Sequence, residues 1–334
     1  MKAILVNELG GPEVLSYQEI PDPIPKPNEV LVQIEAAGVN FLDIYYRSGF
    51  HWGGHHGLDL PYIPGAEGAG IVVALGNNVT DFELGDRVSF GISNGKGAYA
   101  ELKAVPAWSL FKIPEAIDFK IAGAVMQQGM TAHYLCNSVF PLASNHTALV
   151  HAAAGGTGLL LVQMAKLRNA KVFGTVSNKK KVEAVENAGA DYVIVTSEQD
   201  FTLEIQKLTN QTGVNVVFDS VGKDTYQGSL NSLASRGAMV LYGQSSGKVP
   251  PFDTAILNAK GSLSLWRPSL TDYVSSKVDV NNRAGDIFRW IKERNLSVTI
   301  GDTFPLSEAW KAHQQLASRT TIGKLLLLPN FKLN

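Results

Sequence analysis

The sequence predicts an α/β protein in which a β-rich, turn-laden first part leads into a doubly wound parallel sheet. Three observations carry this. Residues 1 to about 120 hold short apolar runs separated by proline and glycine. From Ala148 onward, apolar strands alternate with helical patterns, the rhythm of parallel strands joined by crossover helices. The first such alternation is interrupted by a glycine-rich turn, Gly155-Gly156-Thr157-Gly158.

In the first part, strands are expected at Lys2 to Val6, Glu29 to Ala36, Gly70 to Leu75 and Arg87 to Ser89, with Pro21 to Pro27 as a rigid loop. The parallel sheet is expected to run through Ala148 to Ala152, Lys171 to Val176, Tyr192 to Val195, Val214 to Phe218, Ala238 to Tyr242 and Ser262 to Trp266. Helical patterns fall at Leu159 to Leu167, Lys180 to Asn187, Leu203 to Leu208 and Tyr226 to Ala234. Asp286 to Lys292 begins the return, followed by an amphipathic helix at Leu306 to Leu316 and a last strand at Lys324 to Leu328. These last elements are expected to complete the first domain, so the boundaries read 1–122, 123–294 and 295–334, with the middle segment inserted in the other two.

A chain of 334 residues with 45% apolar content has material for two cores. Its formal charge of -1 argues against a general attraction to nucleic acid or anionic membranes. No stretch approaches the roughly 18 apolar residues of a membrane span, and a cytoplasmic location is expected. The single cysteine, Cys136, excludes an internal disulfide and a cysteine-rich metal cluster. It reads as a small buried hydrophobe, and Met126 and Met130 as core or pocket wall.

The strongest chemical signal is the turn His151-Ala152-Ala153-Ala154-Gly155-Gly156-Thr157-Gly158. It follows the dinucleotide fingerprint G-x-G-x-x-G with Ala153 in place of the first glycine. Gly155 would let backbone approach a pyrophosphate, Gly158 would allow close helix-sheet packing, and the helix N-terminus would meet the negative charge. At the end of the second strand, Ser177-Asn178-Lys179-Lys180-Lys181 lacks the acidic residue that grips an unphosphorylated ribose. A serine beside lysines suits a ribose phosphate, so NADPH is expected rather than NADH. Gly243 and Gln244 follow the fifth strand, where parallel sheets place ligand loops. Lys324 is a candidate pyrophosphate contact.

The chain resembles the quinone oxidoreductase, or zeta-crystallin-like, group of the medium-chain dehydrogenase/reductase superfamily over nearly its whole length. The resemblance rests on Ala37-Gly38-Val39-Asn40-Phe41-Leu42-Asp43, Pro64-Gly65-Ala66-Glu67-Gly68-Ala69-Gly70 and Leu84-Gly85-Asp86-Arg87-Val88. It continues in Gln128-Gly129-Met130-Thr131-Ala132, the glycine turn, Phe218-Asp219-Ser220-Val221-Gly222 and Gly323-Lys324-Leu325. It implies a GroES-like catalytic domain, a Rossmann-type NADPH domain and a cleft between them. It also implies that Thr131 lies near the nicotinamide, Tyr192 near the adenosine, and Lys181 on the extra phosphate.

Zinc-dependent relatives carry a cysteine where this chain has Asn40 and a histidine where it has Ala66. Amide and methyl are not strong zinc ligands, so a zinc-free site is expected. His51, His55 and His56 are weighed as metal ligands, with a solvated loop as the simpler account. By resemblance, Asn40 and Tyr45 are the candidate donors to the acceptor, while His51 falls where similar proteins commonly carry a tyrosine shortly after the Arg-Ser-Gly segment. The expected activity is hydride transfer from NADPH to a small quinone, whose product takes protons from water. Reduction of an enone, alkenal or enoyl thioester is the alternative, and a noncatalytic, crystallin-like NADPH-binding role a third. The strand Ser262 to Trp266 predicts a homodimer paired edge to edge.

Overall fold

The computed structural model describes residues 1–50, 59–92 and 96–329. In chain order its elements are β1 (Lys2–Val6), β2 (Leu15–Glu19), β3 (Glu29–Val39), α1 (Phe41–Arg47), β4 (Glu67–Leu75), β5 (Arg87–Phe90), β6 (Leu102–Pro106), β7 (Phe111–Lys112) and α2 (Phe119–Tyr134). There follow β8 (Thr147–Val150), α3 (Gly156–Leu167), β9 (Lys171–Val176), α4 (Val182–Asn187), β10 (Tyr192–Val195), α5 (Phe201–Leu208), β11 (Val214–Asp219), α6 (Tyr226–Asn231) and β12 (Leu233–Leu241). The chain ends through α7 (Ala255–Ala259), β13 (Ser264–Trp266), α8 (Leu270–Tyr273), α9 (Lys277–Lys292), β14 (Ile300–Pro305), α10 (Ala309–Ala317) and β15 (Lys324–Leu328).

By packing, the chain forms two compact units. The first is Met1–Met130 with Val274–Arg294 and Val298–Asn334; the second is Thr131–Tyr273 with Asn295–Ser297. The sequence reading groups 274–294 with the nucleotide domain, whereas the structure packs α9 in the first unit. The cause is local: Phe288 of α9 stacks on Phe111 of β7, with centroids 5.2 Å apart and rings 8° from parallel.

In the first unit a seven-stranded sheet runs β14-β15-β3-β4-β5-β7, with β6 also paired to β3. The eleven-residue β3 is its spine because its side chains are nearly all buried. Val30, Val32 and Ile34 join Phe90, Tyr99, Leu325 and Leu327 in one apolar core, the main source of stability for such a layer. Irregular pairing between β3 and β4 at Leu31/Val32 and Ile34/Ala36 bends the sheet. The late strand β15 pairs antiparallel with β3, setting Leu325 opposite Val39. That pairing brings Lys324 beside the end of β3, although the two are far apart in sequence.

In the second unit six parallel strands lie in the order β10-β9-β8-β11-β12-β13. By first appearance this is 3-2-1-4-5-6, the doubly wound order whose switch point lies between the first and fourth strands. Leu149, Phe173, Val217 and Met239 form the core of this sheet. Several expected bounds move, four of them for reasons visible nearby. The first strand ends at Val150 because Ala152 turns into the left-handed region at φ 49. The helix expected to reach Ala234 ends at Asn231, where Ser232 Oγ donates to the Gly228 carbonyl at 2.8 Å. The last strand begins at Ser264, after positive φ values at Gly261 and Ser262. The helical pattern from Leu306 opens with a 3-10 turn before α10.

Candidate functional site

In the first unit the candidate residues gather where β3 passes into α1. Asn40 ends the strand in extended backbone and caps the helix. Asp43, three residues on, reaches back so that Asn40 N–H donates to its Oδ2 at 2.8 Å. This is the returning arm of a capping box. Glu67 enters from β4, and Gly38 makes room for it: a Cβ at Gly38 would lie 2.5 Å from Glu67 Oε1.

The Asn40 amide is held on every side by protein. Its Nδ2 donates to Glu67 Oε1 at 2.9 Å, and its Oδ1 accepts from Lys324 Nζ at 2.8 Å and from Gln128 Nε2 at 3.3 Å. Because an ammonium only donates and a carboxylate only accepts, this contact pair fixes which way the amide points. Lys324 also ion-pairs directly with Glu67 Oε1. The other Glu67 oxygen accepts the Gln127 N–H at 2.8 Å. Burial pushes the Lys324 ammonium below its usual range, while Glu67 and Asp43 pull it back up. The structure sets Lys324 in this buried network with Asn40 and Glu67.

A second chain of contacts runs from Asp43 into the core. Tyr99 Oη donates to Asp43 Oδ2 at 2.9 Å, and the Tyr99 hydroxyl lies 3.0 Å from His313 Nε2. His313 Nδ1 lies 3.4 Å from Arg47 Nη1. Burial raises Asp43 to about 7, against the pull of Asn40 N–H, Tyr99 and Lys324. Burial, with Arg47 beside it, lowers His313 to about 3. Tyr45, on the same helix, is buried with its ring 5.3 Å from that of Phe50 and 6.1 Å from Phe41. His51, His55 and His56 lie outside the described residues.

In the second unit the turn after β8 leads into α3. A Cβ on Gly158 would meet the Ala152 carbonyl at 2.5 Å, so close packing alone demands glycine there. A Cβ on Gly155 would touch only Ala152 O, at 3.3 Å. Glycine at 155 thus leaves its Cβ side with one neighbour, beside the N-terminus of α3 whose first-turn amides and dipole suit an anion such as a pyrophosphate. Gly156 and Thr157 form the first turn of that helix. Ala153, at the fingerprint's first glycine, is fully buried, and the left-handed residue is its neighbour Ala152.

Ser177 is exposed after β9, with Lys179 and Lys180 exposed beside it. Lys181 is 8% exposed, and burial lowers its pKa. Tyr192, 41% exposed, stacks on Phe173 with centroids 5.3 Å apart. Gly243 and the buried Gln244 follow β12. Gly243 passes so close to β11 that a Cβ would lie 2.5 Å from Ser220 O. Thr131 opens the second unit, half-buried within α2.

Beneath the turn lies a network that the sequence reading assigns no role. His151 Nδ1 lies 2.9 Å from Thr175 Oγ1 and its Nε2 3.0 Å from Ser229 Oγ. Ser229 Oγ donates to Asp219 Oδ2 at 2.7 Å. Asp219 Oδ1 accepts from Val221 N–H and Gly222 N–H, shaping the loop after β11. Burial lowers His151, with Asp219 opposing. Asp43, Glu67, His151 and Asp219 all stand within motifs noted in the sequence. The Asn40-x-x-Asp43 spacing was itself a capping signal. Tyr99 and His313 carried none.

A GroES-like sheet in one unit and a doubly wound sheet with a dinucleotide turn in the other define a two-domain pyridine-nucleotide dehydrogenase/reductase. The alcohol dehydrogenase GroES-like domain profile matches residues 26–115, and the zinc-binding dehydrogenase profile residues 156–273. A quinone oxidoreductase of Pseudomonas aeruginosa is 40% identical over 98% of this chain and 99% of its own. A 2-haloacrylate reductase of a Burkholderia species is 37% identical over 98% of both. The crystal structure of Escherichia coli quinone oxidoreductase complexed with NADPH superposes with a TM-score of 0.94 at 38% identity, covering 98% of this chain and 100% of that one. The chain belongs to the quinone oxidoreductase, zeta-crystallin-like group of the medium-chain dehydrogenase/reductase superfamily.

Proposed function

We propose that this protein is an NADPH-dependent reductase whose acceptor is a small quinone. The observation that carries the reading is the second-unit site: an open glycine at position 155, and a Ser177 to Lys181 segment with lysines and no carboxylate after β9. Relatives at 38% and 41% identity solved with NADPH support it. Bound at the turn, NADPH supplies the hydride. The chain's own residues do the rest: Gly155 and the start of α3 hold pyrophosphate, Ser177 and Lys181 take the ribose phosphate, and Thr131, Tyr192, Gly243 and Gln244 border the remainder. In the first unit Tyr45 meets the acceptor, while Asn40, fixed between Lys324 and Glu67, orients it. The product oxygen takes its proton from water.

The Burkholderia relative, which reduces 2-haloacrylate by name, favours a second reading with an activated carbon-carbon double bond as acceptor. Steady-state comparison of matched quinones and enals separates the two through kcat/KM. Among the described residues no helix is long and apolar enough to cross a membrane. A cytoplasmic homodimer joined through β13 is part of the proposal. Leu265 and Trp266 on that edge strand are 38% and 44% exposed, an edge that pairing would cover. Sedimentation that stays monomeric at micromolar protein removes the dimer.

A further inference from the structure

Building on the reductase reading, we propose that Tyr99, oriented by His313 and Arg47, is a positioning residue that acts through Asp43 on Asn40 and the start of α1. The direction of this relay follows from donor chemistry. Arginine has no acceptor, so across the 3.4 Å contact Arg47 Nη1 donates and His313 Nδ1 accepts. An imidazole that accepts at Nδ1 while neutral carries its proton on Nε2. That proton goes to Tyr99 Oη, 3.0 Å away. The tyrosine's single proton is then left for Asp43 Oδ2, at 2.9 Å. The same oxygen accepts the Asn40 N–H. Each link has one possible direction.

Burial makes the chain consequential. Tyr99, His313 and Asp43 are all 0% exposed and Arg47 4%, so water does not compete for these bonds. Two of the residues, Asp43 and Arg47, sit on α1, which also carries Tyr45 and follows Asn40 directly. Tyr99 comes from the segment before β6, and His313 from α10. The relay therefore sets the helix that presents both donors expected from the sequence. It is distinct from the Lys324 and Glu67 contacts, which hold the Asn40 side chain.

The groups acting on Asp43 are Lys324 and Glu67 from the sheet and Tyr99; Tyr46 and Tyr62 are raised by burial first and then by its charge. Arg47 and His313 stand behind Tyr99. Because Tyr99 donates to the carboxylate, it favours the charged form. Its removal pushes Asp43 upward and weakens the acceptor that holds Asn40 N–H at neutral pH.

The test follows the Asn40 backbone amide by NMR across pH, with kcat and KM for a quinone measured on the same proteins. The natural chain is expected to show the amide titrating near 7. Tyr99→Phe, which keeps the ring, is expected to move that midpoint up by roughly one unit, with the acid limb of kcat moving alongside. Asp43→Asn is expected to abolish the titration. His313→Gln, whose amide still donates to Tyr99, is expected to keep the natural midpoint, and His313→Leu to shift it in the Tyr99→Phe direction by less. An unmoved amide midpoint in folded Tyr99→Phe overturns the relay, even where activity falls uniformly. Amide shifts as described, in a natural chain that reduces no quinone, uphold the relay and sink the reductase reading instead.

Discussion

Lys324 and Glu67 form an ion pair in which neither side chain meets solvent, at 1% and 0% exposure. Asn40 bridges it, accepting from the ammonium and donating to the carboxylate. Removing one member of such a pair strands a buried charge and costs about 3–5 kcal/mol. Lys324→Ala is therefore expected to lose that much in urea unfolding. The double variant Lys324→Met/Glu67→Gln is expected to lose clearly less than the sum of its single changes, because no charge is left behind. Additive losses would show that the two residues do not interact as drawn.

Asp43 gives stability a definite pH dependence. Its folded pKa of about 7 lies above the ordinary 3.8. The folded chain therefore binds more protons than the unfolded one between those values. A contribution present below 3.8 is lost as pH rises through about 7. Asn in this position can offer its oxygen where Oδ2 now accepts. Relative to the natural chain, Asp43→Asn is expected to gain stability steadily from pH 4 to 7, by up to roughly 4 kcal/mol, and to level off above. A difference independent of pH would place the Asp43 titration elsewhere.

Ala152 holds a left-handed φ of 49 at the entrance to the glycine turn. That region costs a residue with a Cβ about 1–2 kcal/mol, partly offset by the greater unfolded freedom of glycine. Ala152→Gly is expected to raise stability by roughly 0.5 kcal/mol, and Ala152→Val to lower it by more than about 1 kcal/mol. Thermal unfolding decides between this and an ordinary turn, in which glycine would destabilise.

Ser229 joins His151 to Asp219 inside the second unit. Ser229→Ala removes a partner from each, at a cost of about 1–3 kcal/mol. Because Asp219 also holds the amides of Val221 and Gly222, the loop after β11 should exchange hydrogen faster. Loss of stability with that loop's exchange unchanged would separate the network from the loop.

The second unit was largely legible in the sequence because its information is local. Apolar strands, a glycine turn and crossover helices each announce themselves within a few residues, and Lys171–Val176 and Tyr192–Val195 agree to the residue. The first unit was legible only in part. Its site joins Asn40, Glu67, Tyr99, His313 and Lys324 through long-range pairing of β15 with β3 and docking of α10. No local period encodes such a meeting, and so the Lys324 contacts with Asn40 and Glu67 went unread. Helix α2 also went unread, since Phe119–Tyr134 is apolar on nearly all sides and shows little of the two-faced pattern that marks a surface helix.

Selection of NADPH through the end of β9 is tested by paired binding of NADPH and NADH to the natural chain and to Lys181→Ala. Lys181 is buried, and that burial lowers its pKa from the ordinary lysine range, so a bound phosphate would meet a lysine held close with little competing water. The natural chain is predicted to prefer NADPH. Lys181→Ala should weaken NADPH by about 1.5–3 kcal/mol, as for one charge-assisted hydrogen bond, while leaving NADH nearly unchanged. Tighter binding of NADH by the natural chain, or equal weakening of both cofactors in Lys181→Ala, would exclude that selection.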